Sequence, residues 1–391
     1  MKQLSNILQV WYAELYEVLH NPGLIIFCLL VPLAYPLLYA FVYTNETVHE
    51  VPIAVVDECH SPKSREFTRL VDATAEAEVA YHTDMMQAQE LMRQEKVYAI
   101  MQIPSNFEKD LSRGDQTQVA LYSDMRCMLY YKSVLLAASN VSLAMNNDIK
   151  VSRYLRGSTD HQEAILKQPV TNSHVALYNP QSGMASFLIP AVMMLIIQQL
   201  LFLSIGTSMG SIRERNRAIG FPLDNPYFSN CFSIVAGKVL FYLPLFLLVA
   251  IYMYSAVTRG FALPQLGDYI TFLRFIFPYI LACILMGITM SAMIFRSEDS
   301  MLLYIFMSVP LLFLSGMSWP VASEPELWRY VSWIFPSTFG MHGYARIQGM
   351  GASLSNVSFE YHGLWIQCVV YFLTACWIYR RELSKSKYNK V

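Results

Sequence analysis

Charge is scarce in this chain of 391 residues: 15% is Asp, Glu, Lys or Arg, against about a quarter in an average soluble domain. The 28 basic and 29 acidic side chains nearly cancel, so no basic face dominates that could hold a nucleic acid. The phosphate-cradling loop Gly-x-x-x-x-Gly-Lys-Ser/Thr is missing. Gly237-Lys238 is followed by Val239 and has Phe232, not glycine, five residues earlier, so the chain does not bind ATP phosphates in that way. His-Glu-x-x-His, paired-cysteine zinc spacings and Gly-x-Ser-x-Gly are missing as well, which removes the common zinc and serine chemistries. The eight histidines are scattered and form no ligand pattern.

The scarcity is uneven. Residues 44–183 carry 18 acidic and 13 basic side chains, net −5, and the remainder carries 11 acidic and 15 basic, net +4. Outside that block, long windows hold no charge at all: Val18–Asn45, Val239–Thr258, Phe275–Phe295, Ser300–Ser323 and Tyr361–Tyr379, with Gln168–Ile212 overlapping its end. A bilayer core is crossed by about 20 apolar residues, so these windows predict six membrane helices. Their apolar cores fall at Leu24–Tyr43, Phe187–Met209, Val239–Val257, Phe275–Phe295, Met301–Trp319 and Leu364–Tyr379. None of these cores holds an ionisable residue, so the pattern of a proton- or sodium-driven pathway is missing and energy must come from elsewhere.

Positive charge collects at Arg213, Arg215, Arg217 and Lys238, and in the tail from Arg380 to Lys390. By the positive-inside rule both termini are expected in the cytoplasm and residues 44–183 outside. The first 23 residues form a separate object. Leu4, Ile7, Leu8, Trp11, Leu15, Val18 and Leu19 share one helical face, which predicts an amphipathic helix on the inner leaflet, with a helix packed on protein as the alternative. Asn21-Pro22-Gly23 breaks it before the first span.

Within the net −5 block, strand-like and helical stretches alternate: strands at 51–57, 78–82, 97–103 and 118–123, with helices at 62–73, 84–94 and from Pro104 to Gly114. That order predicts a small α/β domain inserted in an otherwise all-α bundle of six membrane helices, and a long helix, 127–156, follows it. Cys59 and Cys127 are the two cysteines of this segment; sequence alone leaves a bridge and free thiols both open.

The layout resembles the ABC-2 type transporter permeases over essentially the whole chain. The residues that carry the resemblance are Glu14–Pro22 (ELYEVLHNP), then Arg213-Glu214-Arg215 with Gly220, Leu223, Pro226 and Gly237-Lys238. Ile103-Pro104 with Phe107 and Gly114, Leu314-Ser315-Gly316, and Phe335–Thr338 with Gly340–Gly349 complete the set. Asn216-Arg217-Ala218-Ile219 departs from the acidic residue and Gly-Thr usual there.

The resemblance implies a multidrug-efflux-like exporter of a lipophilic or amphipathic compound across a bacterial inner membrane. It also implies a second permease copy or paralogue and a separate ATP-binding subunit that holds ATP and magnesium; the chain itself would be no enzyme. Segment 211–230 would be the coupling loop, with Arg213, Glu214, Arg215 and Arg217 meeting the ATPase; topology-setting arginines at lipid headgroups are the plainer reading. The substrate would pass between two copies, near Gln199, Ser204, Thr207, Tyr304 and Ser308, although polar residues between spans also serve as packing. Residues 320–350 would form an external re-entrant region. A periplasmic adaptor is a further expected partner, alongside membrane lipids. Export of a polysaccharide or lipid-linked glycan and a non-transporting envelope receptor or scaffold are the competing functions.

Overall fold

The computed structural model describes residues 2–43, 47–154, 177–179, 183–215, 230–317 and 323–388. It divides into two compact units, Thr47–Val175 and the remainder of the chain.

The smaller unit is built on β1 (Val51–Asp57), whose run Val-Pro-Ile-Ala-Val-Val is almost wholly buried, as befits a strand covered on both faces. β2 (Ala77–His82) and β3 (Ala99–Ile103) pair with it in parallel, and β4 (Ala120–Ser123) adds antiparallel to β3, giving the order β2-β1-β3-β4. Side chains alternate along β1. Ile53 and Val55 meet Phe67, Val71, Phe107 and Val134 on one face, and Ala54 and Val56 meet Ala88, Val97 and Ile100 on the other. The helix Pro62–Asp72 therefore leaves β1 towards the first face, and the helix Met85–Arg93 leaves β2 towards the second. Each large apolar side chain buried this way stabilises the unit by about 1.5–3 kcal/mol.

Local signals set the helix ends. Ser61 and Ser64 cap each other reciprocally with Pro62 at the first helical position, a start signal that satisfies otherwise orphaned amides. Asp84 caps the Met85–Arg93 helix, and Gly114, at φ 97°, ends Phe107–Arg113, where a left-handed residue is wanted. The Arg126 guanidinium forks onto Asp124 at 2.7 and 3.0 Å and holds that carboxyl below its usual range. The long helix Met128–Tyr154 follows. Cys59 and Cys127 are both free thiols.

Among the described residues the larger unit holds six helices long and apolar enough to cross a membrane: Pro22–Val42, Met184–Arg215, Cys231–Gly260, Tyr269–Met293, Ser297–Leu314 and Ser358–Ser384, the first to sixth spans. The second is the axis of the bundle. Its residues 189–198 and 200–210 are all buried, the pattern of a helix that is apolar all round. The first, fifth and sixth spans lie outside it and leave apolar residues such as Phe41, Phe306 and Leu373 exposed. Pro32 cannot donate to the turn before it, and there the first span widens to a π turn over Ile26–Leu30.

Two boundaries differ from the sequence reading. The third span begins at Cys231, so Lys238 lies inside an apolar helix and is fully buried. The apolar core expected at Val239–Val257 still holds no charged residue, but the helix around it carries this one buried lysine. The fifth helix stops at Leu314, because Gly316 turns the chain at φ 74°; Trp319 is outside the described residues. In the 320–350 region, Glu326–Ser332 and Pro336–Met350 are helical. The second of these is mostly buried against the second, fourth and sixth spans. Gly343 lets the Phe275 ring fit against it, and the Gln198 carboxamide oxygen accepts the Ser337 amide at 2.7 Å.

Close approach also marks the second span. A Cβ at Gly210 would stand 2.5 Å from the Ser297 amide nitrogen and 2.6 Å from the Arg296 carbonyl carbon, and backbone cannot step aside. We expect Gly210→Leu to destabilise the detergent-purified protein by about 1–3 kcal/mol or more, read as a lowered thermal midpoint. Gly260→Ala, where a Cβ meets nothing within 4 Å, should leave that midpoint unchanged.

Candidate functional site

One end of the bundle is held by charge. The N-terminal helix α1 (Lys2–His20) lies along the third span, and Val10 rests on Gly237, where a Cβ would come within 2.6 Å. Glu14 and Glu17 share that inward face with Val10 and Val18, because residues three and four apart stack on one side of a helix. Glu14 pairs with Lys238 inside the protein, at 3% and 0% side-chain exposure. Its carboxylate also accepts the Ser208 hydroxyl at 3.0 Å and the Tyr242 hydroxyl at 3.2 Å. A buried charge is tolerated where its remaining lone pairs are filled in this way.

A second tier surrounds that pair. Arg215 reaches Glu17; at 60% exposure of the arginine this contact adds little stability. Arg213 turns the other way. It donates to the carbonyls of Ser291 and Ile294 at the end of the fourth span, and pairs with Glu382 of the sixth at 2.6 Å. Glu214 accepts the Ser297 hydroxyl at 2.9 Å at the start of the fifth span. Asn21, in the break after α1, donates to Ser211 at 3.1 Å. The last turn of the second span is thus tied to α1 and to the fourth, fifth and sixth spans, and α1 is tied to the third.

Of the expected coupling residues, Arg213 and Glu214 are engaged within the chain, Arg215 is engaged yet largely open, and Arg217 lies outside the described residues. Sequence reasoning did not single out Glu14, Ser208, Lys238, Tyr242, Ser297 or Glu382 for this role. A signal was available for Glu14: it sits three residues after Trp11 and four before Val18, on the stripe assigned to apolar contact. A carboxylate there implies a buried partner.

α1 is packed on one side only. Its Glu14 face is packed on the third span, while Leu4, Leu8, Tyr12, Tyr16 and Leu19 stay exposed, the apolar surface an interfacial helix presents.

The expected pathway residues separate into two groups. Ser204, Thr207 and Tyr304 are buried. Thr207 and Ser300 hydroxyls are 2.9 Å apart, and the Tyr304 ring packs on Phe202 at 5.2 Å, so Thr207 and Tyr304 join the second span to the fifth within one copy. Ser308 is half-buried and bonds back to Ile305. The Gln199 amide oxygen and nitrogen, like the Ser204 and Tyr304 hydroxyls, are shielded and have no hydrogen-bond partner.

Six spans bolted at one end around a central helix, with no metal-holding cluster among the described residues, define a multi-pass membrane protein. The family model described as ABC-2 family transporter protein matches residues 22–377, and the chain belongs to that family. It is an ABC-2 permease subunit, a membrane component without the ATPase, which lies in a partner ABC subunit. Comparison with curated proteins returns no match.

Breaking the buried pair from one side strands a charge. Lys238→Met is expected to destabilise the protein by about 3–5 kcal/mol, while Glu14→Gln with Lys238→Met should recover much of that loss. The survival of monodisperse protein after a heat step, compared among the wild type and the two variants, checks this; equal losses in the single and double variants would contradict it.

Proposed function

We propose that this permease exports a lipophilic or amphipathic compound across a bacterial inner membrane. Two permease subunits form the route, and an ATPase carrying ATP and magnesium docks on segment 211–230. In this reading the clasp end, both termini and the tail face the cytoplasm, and residues 44–183 face outward. The observation that carries the proposal is the clasp itself. The last described turn of the second span holds α1 and three other spans through Arg213, Glu214 and Arg215 and leads directly into residues 216–230. A displacement applied there is delivered to several spans at once, because each contact is charged or hydrogen-bonded and directional.

The polar stretch between two copies would use Gln199, whose amide has no partner in one copy, and the exposed fifth-span side chains Met301, Phe306 and Phe313. Methionine and aromatic side chains make an adaptable wall for varied apolar solutes. Ser204, Thr207, Tyr304 and Ser308 would act behind that wall by holding the second and fifth spans in place. An adaptor at the outer unit would complete the efflux path.

The test is a reconstituted permease–ATPase complex in which hydrolysis and substrate movement are measured together. Glu214→Ala and Arg213→Glu are expected to keep membrane insertion and ATP hydrolysis while transport falls roughly tenfold or more, the size expected on losing a charge-assisted contact. Wild-type export by both variants would sink the coupling assignment.

A further inference from the structure

The α/β unit contains a cleft that the export reading does not use. It measures about 810 Å³ and lies at the carboxyl ends of β1 and β2, within the range of small-molecule sites, about 300–1,000 Å³. Its position has a topological reason. The chain leaves β1 towards one face of the sheet and leaves neighbouring β2 towards the other, so a crevice opens between the two strand ends. In open α/β sheets ligands sit in such a crevice.

Two features show that the cleft is constructed. The first is a β-bulge. Val79 pairs with Ile53, yet Tyr81 pairs with Ala54 and His82 with Val55, so Ala80 is the extra residue. Without it His82 would face the opposite side from Val79; with it, both share the face of Val55 and the Pro62–Asp72 helix. Bulges are a regular device for re-aiming a side chain at a site. The second is the imbalance of partners. Asp57 accepts the amides of Cys59 and His60 and the hydroxyl of Ser64. Asp72 accepts the Val79 amide at 2.8 Å, Asp84 the Gln87 amide at 2.8 Å, and Glu58 the Gln102 side chain at 2.7 Å. Each carboxylate in the cleft already has a donor. Arg65 and Arg69, one turn apart on the Pro62–Asp72 helix and both lining the cleft, have no side-chain hydrogen bond or ion pair among the described residues.

We propose that this cleft binds a small organic anion: its oxyanion group, phosphate or carboxylate, is held by the Arg65 and Arg69 guanidiniums with His82 beside it, and its apolar part rests on Val79 and Met85. Paired guanidiniums match the two oxygens of such a group. The anion comes either from solution or from a lipid headgroup, and the chemistry is the same. The inference does not depend on the export reading, since the cleft is complete within the unit.

Full-length protein in phosphatidylcholine nanodiscs, titrated calorimetrically with hexyl phosphate, tests it. Saturable binding is expected, weakened roughly tenfold or more in Arg65→Gln/Arg69→Gln and unchanged in Arg113→Gln, an exposed arginine on a different helix. Repeating the titration in nanodiscs that contain phosphatidic acid separates the sources. Loss of the hexyl phosphate signal there assigns the site to a lipid headgroup, and an unchanged signal assigns it to a free solute. Absence of saturable binding, or equal weakening by Arg113→Gln, would overturn the proposal.

Discussion

Much of the larger unit depends on one carboxylate meeting one ammonium out of water. Glu14 and Lys238 come from helices more than two hundred residues apart in sequence, and neither charge is tolerable alone in that surrounding. Their meeting fixes where α1 lies along the third span. Gly237 permits the approach, Ser208 and Tyr242 fill the remaining acceptor sites, and Glu17 then falls within reach of Arg215. Directional contacts of this kind set register more sharply than apolar ones, which tolerate sliding.

The rest of the bundle is held differently. Between membrane helices there is little hydrophobic gain, because lipid is as apolar as the side chains; close packing and hydrogen bonds hold them instead. The second span shows both. Gly206 and Gly210 admit the fifth span to near-contact, and Thr207 bonds with Ser300 along the same seam. Near mid-span Gln198 receives the Ser337 amide. The α/β unit follows the physics of water-exposed domains: a central strand buried on both faces, helices sorted to either side, and capping residues at the starts of Pro62–Asp72 and Met85–Arg93.

Function in an ABC-2 permease requires a link between an ATPase and several spans. In the proposed coupling that link is the end of the second span, where Arg213, Glu214 and Arg215 contact the sixth, fifth and N-terminal helices respectively. Arg213 is therefore better described as a clamp among spans than as an exposed docking residue. Arg215, mostly open, is the one of the three able to face another subunit.

Sequence by itself determined the larger plan. Charge-free windows located six spans, since no water-exposed helix keeps such length without charge. Alternating strand and helix signals, with Ser61-Pro62, Asp84 and Gly114 as punctuation, placed the α/β elements to within a few residues, because those signals act over one turn of chain. The Arg-Glu-Arg cluster was also visible. Only tertiary structure decided its partners. Lys238 looked like a loop residue until the third helix was seen to begin at Cys231, and the carboxylate of Glu14, set on an apolar stripe, had no visible partner in the sequence. Likewise Arg65, Arg69 and His82 are unremarkable in sequence. Helix spacing sets the first two together, but a single extra residue at Ala80 turns the third towards them. Burial, pairing and pleat direction depend on residues distant in the chain, and local pattern carries no record of them.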